Sequence, residues 1–149
     1  MAGYSGKPLL QKLGIKRGDR VLLSNAPRML PCELTEYSGA RTKKNLNIVL
    51  LFATSAAGFI AEFASLTNAI EANGMIWVAW PKKASGMETD LTEDVIRNQA
   101  LKTRFVDVKV CAIDETWSGL KLVIRKQYRA SLAARPSRNA VVGLRTQET

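Results

Sequence analysis

The chain holds no histidine among its 149 residues and only two cysteines, Cys32 and Cys111. Serine–histidine and cysteine–histidine catalysis are therefore excluded. So is a zinc site, which needs more thiolates or imidazoles than are present. Proton transfer would fall to Asp, Glu, Lys, Tyr or Cys. Two carboxylates stand close to an indole in Asp114-Glu115-Thr116-Trp117. Desolvation favours the neutral acid and raises a carboxylate's pKa towards the range of a general base, which makes Asp114 and Glu115 the catalytic candidates. The same two residues serve as plain turn formers if two strands meet there. Both thiols lie in or beside apolar segments and read as buried, reduced cysteines.

A second group of residues could bind rather than react. Three apolar runs end in Asn25-Ala26-Pro27, Thr54-Ser55 and Trp80-Pro81-Lys82-Lys83. In an open parallel sheet, ligands sit beyond the carboxyl ends of the strands. Ser55 stands where a helix begins, and helix N-termini attract anions through free backbone N–H groups. Lys82 and Lys83 would add positive charge. Asn25, Thr54, Ser55, Lys82, Lys83 and Trp117 are thus the ligand-binding candidates, and a small anion is the expected ligand. The competing reading makes Ser55 a helix cap and the lysines solvated loop charges. No metal is expected.

The elements that must position these residues follow from periodicity. Pro8 with Leu9, Leu10 and Leu13 predicts a short helix that Gly14 can close. Arg20–Asn25 holds a brief apolar run that reads as a buried strand, and Asn47–Thr54 is apolar on both faces, as a strand central in a parallel sheet is. Phe59, Phe63, Leu66 and Ile70 recur at helical spacing, so the helix after Ser55 is predicted to end near Asn73-Gly74. Met75–Trp80 is the next strand, and the strand–helix–strand unit is the clearest local signal. Asp90 and Glu93 have the spacing of a capping box and open a helix to about Lys102. Phe105–Ile113 and Leu120–Lys126 alternate as an antiparallel hairpin around 114–119. Trp77 and Trp80 fall on opposite faces of their strand.

Between Arg28 and Asn47 the signal is poor, with a weak strand around Cys32–Tyr37. The fold class is α/β: a three-layer Rossmann-like sandwich with a mostly parallel sheet that ends in an antiparallel hairpin. Residues 1–127 form this domain, and 128–149, rich in Arg, Ser, Ala and Pro, read as a flexible basic tail.

The formal charge of +9 is spread along the chain rather than gathered in one patch. A dedicated nucleic-acid surface concentrates its charge and interleaves exposed aromatics, so nucleic acid is a weak expectation here. No apolar run reaches the roughly 18 residues of a membrane span. The first residues lack the apolar core of a signal peptide, and a cytoplasmic location is expected.

The segments Gly14-Ile-Lys-Arg-Gly-Asp-Arg-Val-Leu-Leu, Trp80-Pro-Lys-Lys-Ala-Ser, Thr89-Asp-Leu-Thr-Glu-Asp-Val and Val106–Arg125 resemble the bacterial domain of unknown function 3052 family over nearly all of Ala2–Lys126. That family has no established activity. More distantly, the Gly18-Asp-Arg-Val-Leu entry strand and the closing hairpin resemble a shortened class I methyltransferase. This resemblance implies S-adenosylmethionine as the cofactor, held by a glycine-rich turn after the first strand and an acidic residue after the second. Here the turn reads Ser24-Asn25-Ala26-Pro27-Arg28, without glycine, and Pro27–Asn47 has little room for a helix and two strands. The residues themselves favour a non-catalytic or regulatory binding domain that needs no cofactor. The alternatives are a methyltransferase-like enzyme with a non-standard cofactor site and a nucleic-acid-associated basic protein.

Overall fold

The computed structural model describes residues 8–134. Five strands form one sheet: β1 (Val21–Ser24), β2 (Leu46–Phe52), β3 (Ile70–Pro81), β4 (Phe105–Ala112) and β5 (Trp117–Ile124). Their order is β1-β2-β3-β5-β4. The first three are parallel, while β5 runs antiparallel to both β3 and β4. All four residues of β1 are buried although it is an edge strand, because both faces of the sheet are covered. The expected three-layer α/β sandwich, mostly parallel and closed by an antiparallel hairpin, is the fold observed.

On one face lie α2 (Ala56–Leu66) and α3 (Glu93–Leu101). Phe59, Phe63 and Leu66 of α2 and Ile96 and Ala100 of α3 are buried against Val49, Leu51, Ile76, Val78, Leu120 and Leu122. Phe63 also meets Phe105 edge to face at 5.3 Å. On the other face lies α1 (Leu9–Leu13), which Gly14 ends at φ 78° in the left-handed region. Trp77, with no exposed surface, donates its indole N–H to the Leu13 carbonyl at 2.9 Å. One side chain thus fills the core and holds α1 to the sheet.

Several boundaries differ from the sequence expectation. Cys32–Tyr37 is a 3-10 helix rather than a strand. Leu34 and Tyr37 stand three apart, and in a 3-10 helix residues i and i+3 lie one above the other, so both pack on the α1 face. Cys32 is exposed and Cys111 half-buried, so the thiols are not equivalent. The α2 helix stops at Leu66, and Ile70 opens β3 as the partner of Leu46. Ile70 fits the helical spacing and is nevertheless a strand residue. The helix α3 is capped by Thr92, whose hydroxyl accepts the Val95 N–H, not by Asp90. A fourth helix, α4 (Lys126–Ala134), crosses the domain boundary placed at residue 127. Tyr128 packs on the α2-face core and Arg129 donates to the Ile124 carbonyl at 2.6 Å. The rest of the expected tail, 135–149, lies outside the described residues.

One topological feature decides where a ligand could sit. The chain steps in the same direction from β1 to β2 and from β2 to β3. The first connection packs its Leu34 on the α1 face, whereas the second runs through α2 on the opposite face. The two connections therefore have opposite hands. Right-handedness is the strong rule where a helix packs back on the sheet, and the β1–β2 connection carries no α-helix. At the carboxyl ends of β1 and β2 the chain leaves the sheet towards opposite faces, and such divergence opens a crevice.

Candidate functional site

After Ser24 the chain turns at Asn25, with φ 57°, a left-handed conformation that asparagine tolerates better than most residues. After Phe52 it runs through Ala53, Thr54 and Ser55 into α2. Between these two exits lies a cleft of about 200 Å³ lined by Asn25, Phe52, Ala53, Thr54, Ser55, Gly58 and Trp117. Its apolar floor is Phe52 and Trp117, in edge-to-face contact at 5.2 Å. The Ser55 hydroxyl caps α2 by accepting the Gly58 N–H at 3.0 Å. The lining has three polar side chains and no ionisable group.

Of the sequence candidates, the fold brings Asn25, Thr54, Ser55 and Trp117 together in this cleft. Trp117 stands there because it is the first residue of β5 rather than part of the turn. Lys82 and Lys83 follow β3 and lie outside the lining; the Lys82 N–H binds the Thr116 carbonyl at 2.8 Å. Asp114 accepts the Thr116 and Trp117 N–H groups, both at 2.8 Å, and so ties the β4–β5 turn. Glu115 is exposed. Neither acid lines the cleft.

The N-terminus of α2 is already occupied from within. The Asp90 carboxylate accepts the Ala56 N–H at 2.7 Å, and the Thr89 hydroxyl donates to the Thr54 carbonyl at 2.6 Å. A carboxylate at a helix N-terminus satisfies an orphan donor and meets the positive end of the helix dipole. An external anion would have to compete with that charge. Asp90→Ala is expected to cost about 1 kcal/mol, the size of a lost cap, and to make the melting temperature newly responsive to sulfate. Equal sulfate responses in the parent and the variant would show that Asp90 does not block this terminus.

One polar pair carries little signal in the sequence. The Ser24 hydroxyl, 6% exposed, donates to Glu62 at 2.6 Å and links β1 to α2. Glu62 lies one helical turn beyond Gly58. Its only sequence signal is a carboxylate interrupting the apolar run Ile48–Phe63. Among the described residues, no group of three or more Cys, Asp or Glu is placed to hold a metal.

The cleft can be tested against S-adenosylmethionine. The turn after β1 carries an asparagine side chain where the usual mode needs bare backbone, and Asn25 itself lines the cleft. The strand that follows is β2, whose end, Phe52-Ala53-Thr54, offers no carboxylate for a ribose. The residues present do not fit the standard mode of that cofactor.

No family model matches the chain, so the resemblance to a family of unknown function gains no support, and no curated protein matches it. Solved structures do match. A protein in the NADB-Rossmann superfamily from Streptococcus agalactiae aligns at 8% identity and TM-score 0.48, over 83% of this chain and 70% of that one. The B. subtilis tRNA methyltransferase TrmK aligns at 10% identity and TM-score 0.40, over 68% of this chain and 40% of that one. A ribosomal protein methylase from Lactobacillus delbrueckii subsp. bulgaricus aligns at 12% identity and TM-score 0.44, over 77% of this chain and 62% of that one. The chain thus spans less than two thirds of the length of either methyltransferase, 40% of one and 62% of the other. At these scores the likeness adds nothing to what the sheet order establishes by itself. No helix among the described residues is long and apolar enough to cross a membrane.

Proposed function

We propose that this domain is a small-molecule binding module whose ligand places an uncharged polar group, of heteroaromatic or amide type, in the cleft between β1 and β2. One observation carries the reading: the cleft lies where the chain connections diverge, and polar side chains from both exits converge there over an apolar floor. Asn25 offers both a donor and an acceptor, and the hydroxyls of Thr54 and Ser55 can each donate. Such groups fix the orientation of a ligand edge while Phe52 and Trp117 exclude water behind it. A volume of about 200 Å³ is below the roughly 300–1,000 Å³ of pockets for drug-sized ligands. It suits one ring system, with the rest of the ligand outside. The anionic ligand expected from the sequence is not carried forward, because the lining has no cation and Asp90 occupies the helix terminus.

Trp117 supplies the readout. Nucleosides, nicotinamide, S-adenosylmethionine and S-adenosylhomocysteine, with phosphorylated counterparts, are titrated while tryptophan emission and melting temperature are followed. A true ligand at about 100 times its Kd adds roughly 2.7 kcal/mol to stability. It should change the emission of the parent but not of Trp117→Phe. Asn25→Gly, which keeps the left-handed backbone without strain, should weaken binding about tenfold, the worth of roughly one hydrogen bond. Unchanged affinity in Asn25→Gly would defeat the proposal. A consistent preference for phosphorylated compounds in this cleft would restore the anion reading instead.

A further inference from the structure

We infer that the α1 face of the β4–β5 hairpin is a second, separate site, which takes the phosphate group of a small molecule between Lys109 and Lys121, beside Cys111. Lys109 and Lys121 are directly opposed partners across the antiparallel pair, beside an irregularity at Val108. Lys121 is also the partner of Trp77, so both lysines project on the face that α1 covers. Like charges directly opposite each other in a sheet destabilise it. Among the described residues, no carboxylate forms an ion pair with either lysine; the ion pairs found involve Arg20 and Arg97.

Another cation reaches the neighbouring end of β4 from a different element. Lys12 of α1 donates to the Ala112 carbonyl at 2.9 Å. It stands close enough to lower the pKa of the neighbouring Cys111 thiol, as does Lys109, although burial is the larger influence and raises it. Burial, followed by the charge of Lys109, pushes the Lys121 ammonium down. Lys12 and Lys109 thus both act on one half-buried thiol, and Lys109 also acts on Lys121 across the strand pair. A dianion would relieve the repulsion between Lys109 and Lys121 and make charge-assisted hydrogen bonds to both. The site is distinct from the cleft: Trp117 and Lys121 are four residues apart on one strand, about 13 Å at the usual rise.

Cys111 reports on this site, and the exposed Cys32 is removed by Cys32→Ser. The full chain carrying that substitution is alkylated with iodoacetamide, an uncharged reagent, in pyrophosphate or in sodium chloride of equal ionic strength. Bound pyrophosphate offsets the lysine charges that favour the thiolate and shields the sulfur, so alkylation of Cys111 should slow several-fold. Adding Lys109→Gln and Lys121→Gln should abolish this protection and raise the melting temperature, since a like-charge pair is lost. Lys82→Gln with Lys83→Gln should leave protection intact. The inference fails if chloride protects equally, or if protection survives the Lys109 and Lys121 changes. It also fails if a short single-stranded oligonucleotide protects at concentrations where pyrophosphate does not, since the patch would then serve a nucleic-acid backbone.

Discussion

Trp77→Ala should cost the domain about 3–5 kcal/mol, the range for removing a large aromatic from a core. The indole is fully buried in the α1-face core and is among the largest side chains with no exposed surface. Its removal leaves a cavity under α1, and it leaves the Leu13 carbonyl without its donor. An α-helix of five residues is far below the length at which helices are stable alone, so α1 depends on this contact. For a protein with the usual 5–15 kcal/mol of stability, the loss is a large share of the whole. Chemical denaturation checks it. Trp77→Phe separates the two contributions: the ring keeps most of the packing but cannot donate, so a smaller loss of about 1–3 kcal/mol is expected. A loss below about 1 kcal/mol in the alanine variant would mean that α1 is held by other contacts.

Gly74→Ala should cost about 2 kcal/mol, although alanine normally favours the folded state by restricting the unfolded chain. Between Leu46 and Ile48, β2 takes two steps while its partners Ile70 and Met75 are five apart, so β3 carries an excursion here. Gly74 lies within it. A Cβ would stand 2.9 Å from the Asn47 carbonyl oxygen and 3.1 Å from those of Glu71 and Leu46. All three are backbone atoms and cannot swing aside, so the strands must separate locally, an overpacking penalty of about 1–3 kcal/mol. Thermal unfolding reads the loss. This end of β2 is distant from the cleft at Phe52–Ser55, so ligand affinity should persist wherever the variant is folded. A stability equal to the parent's would show that the excursion can open without cost.

Much of the architecture was legible locally. Residues 47–54 and 75–80 are apolar on both faces, and only a sheet covered on two sides accommodates such strands. The alternation of 105–113 and 120–126 marked the hairpin. The errors arose where one pattern satisfies two geometries. Ile70 extends the Phe59–Phe63–Leu66 stripe at helical spacing but becomes a strand residue, because Leu46 offers it a partner. Leu34 and Tyr37 suit a weak strand and a 3-10 helix equally until a core exists to bury them. Tyr128 lies in a stretch without periodicity, and a surface on the α2 face is what gives it a place in a helix.

The sequence by itself determined the chemistry available: no imidazole, too few thiols for zinc, and no glycine in the turn after β1. It also named Asn25, Thr54, Ser55 and Trp117, because residues at strand ends and at a hairpin can be found by counting. Only the tertiary structure decided which of the candidates meet. Lys82 and Lys83 fall outside the cleft, Asp114 ties a turn, and Asp90 crosses from another segment to cap α2. The opposed Lys109 and Lys121, twelve positions apart in the chain, become neighbours through strand register alone. Local patterns report the periodicity of a backbone, whereas a site depends on distances between segments that only the packing of the sheet and its layers sets.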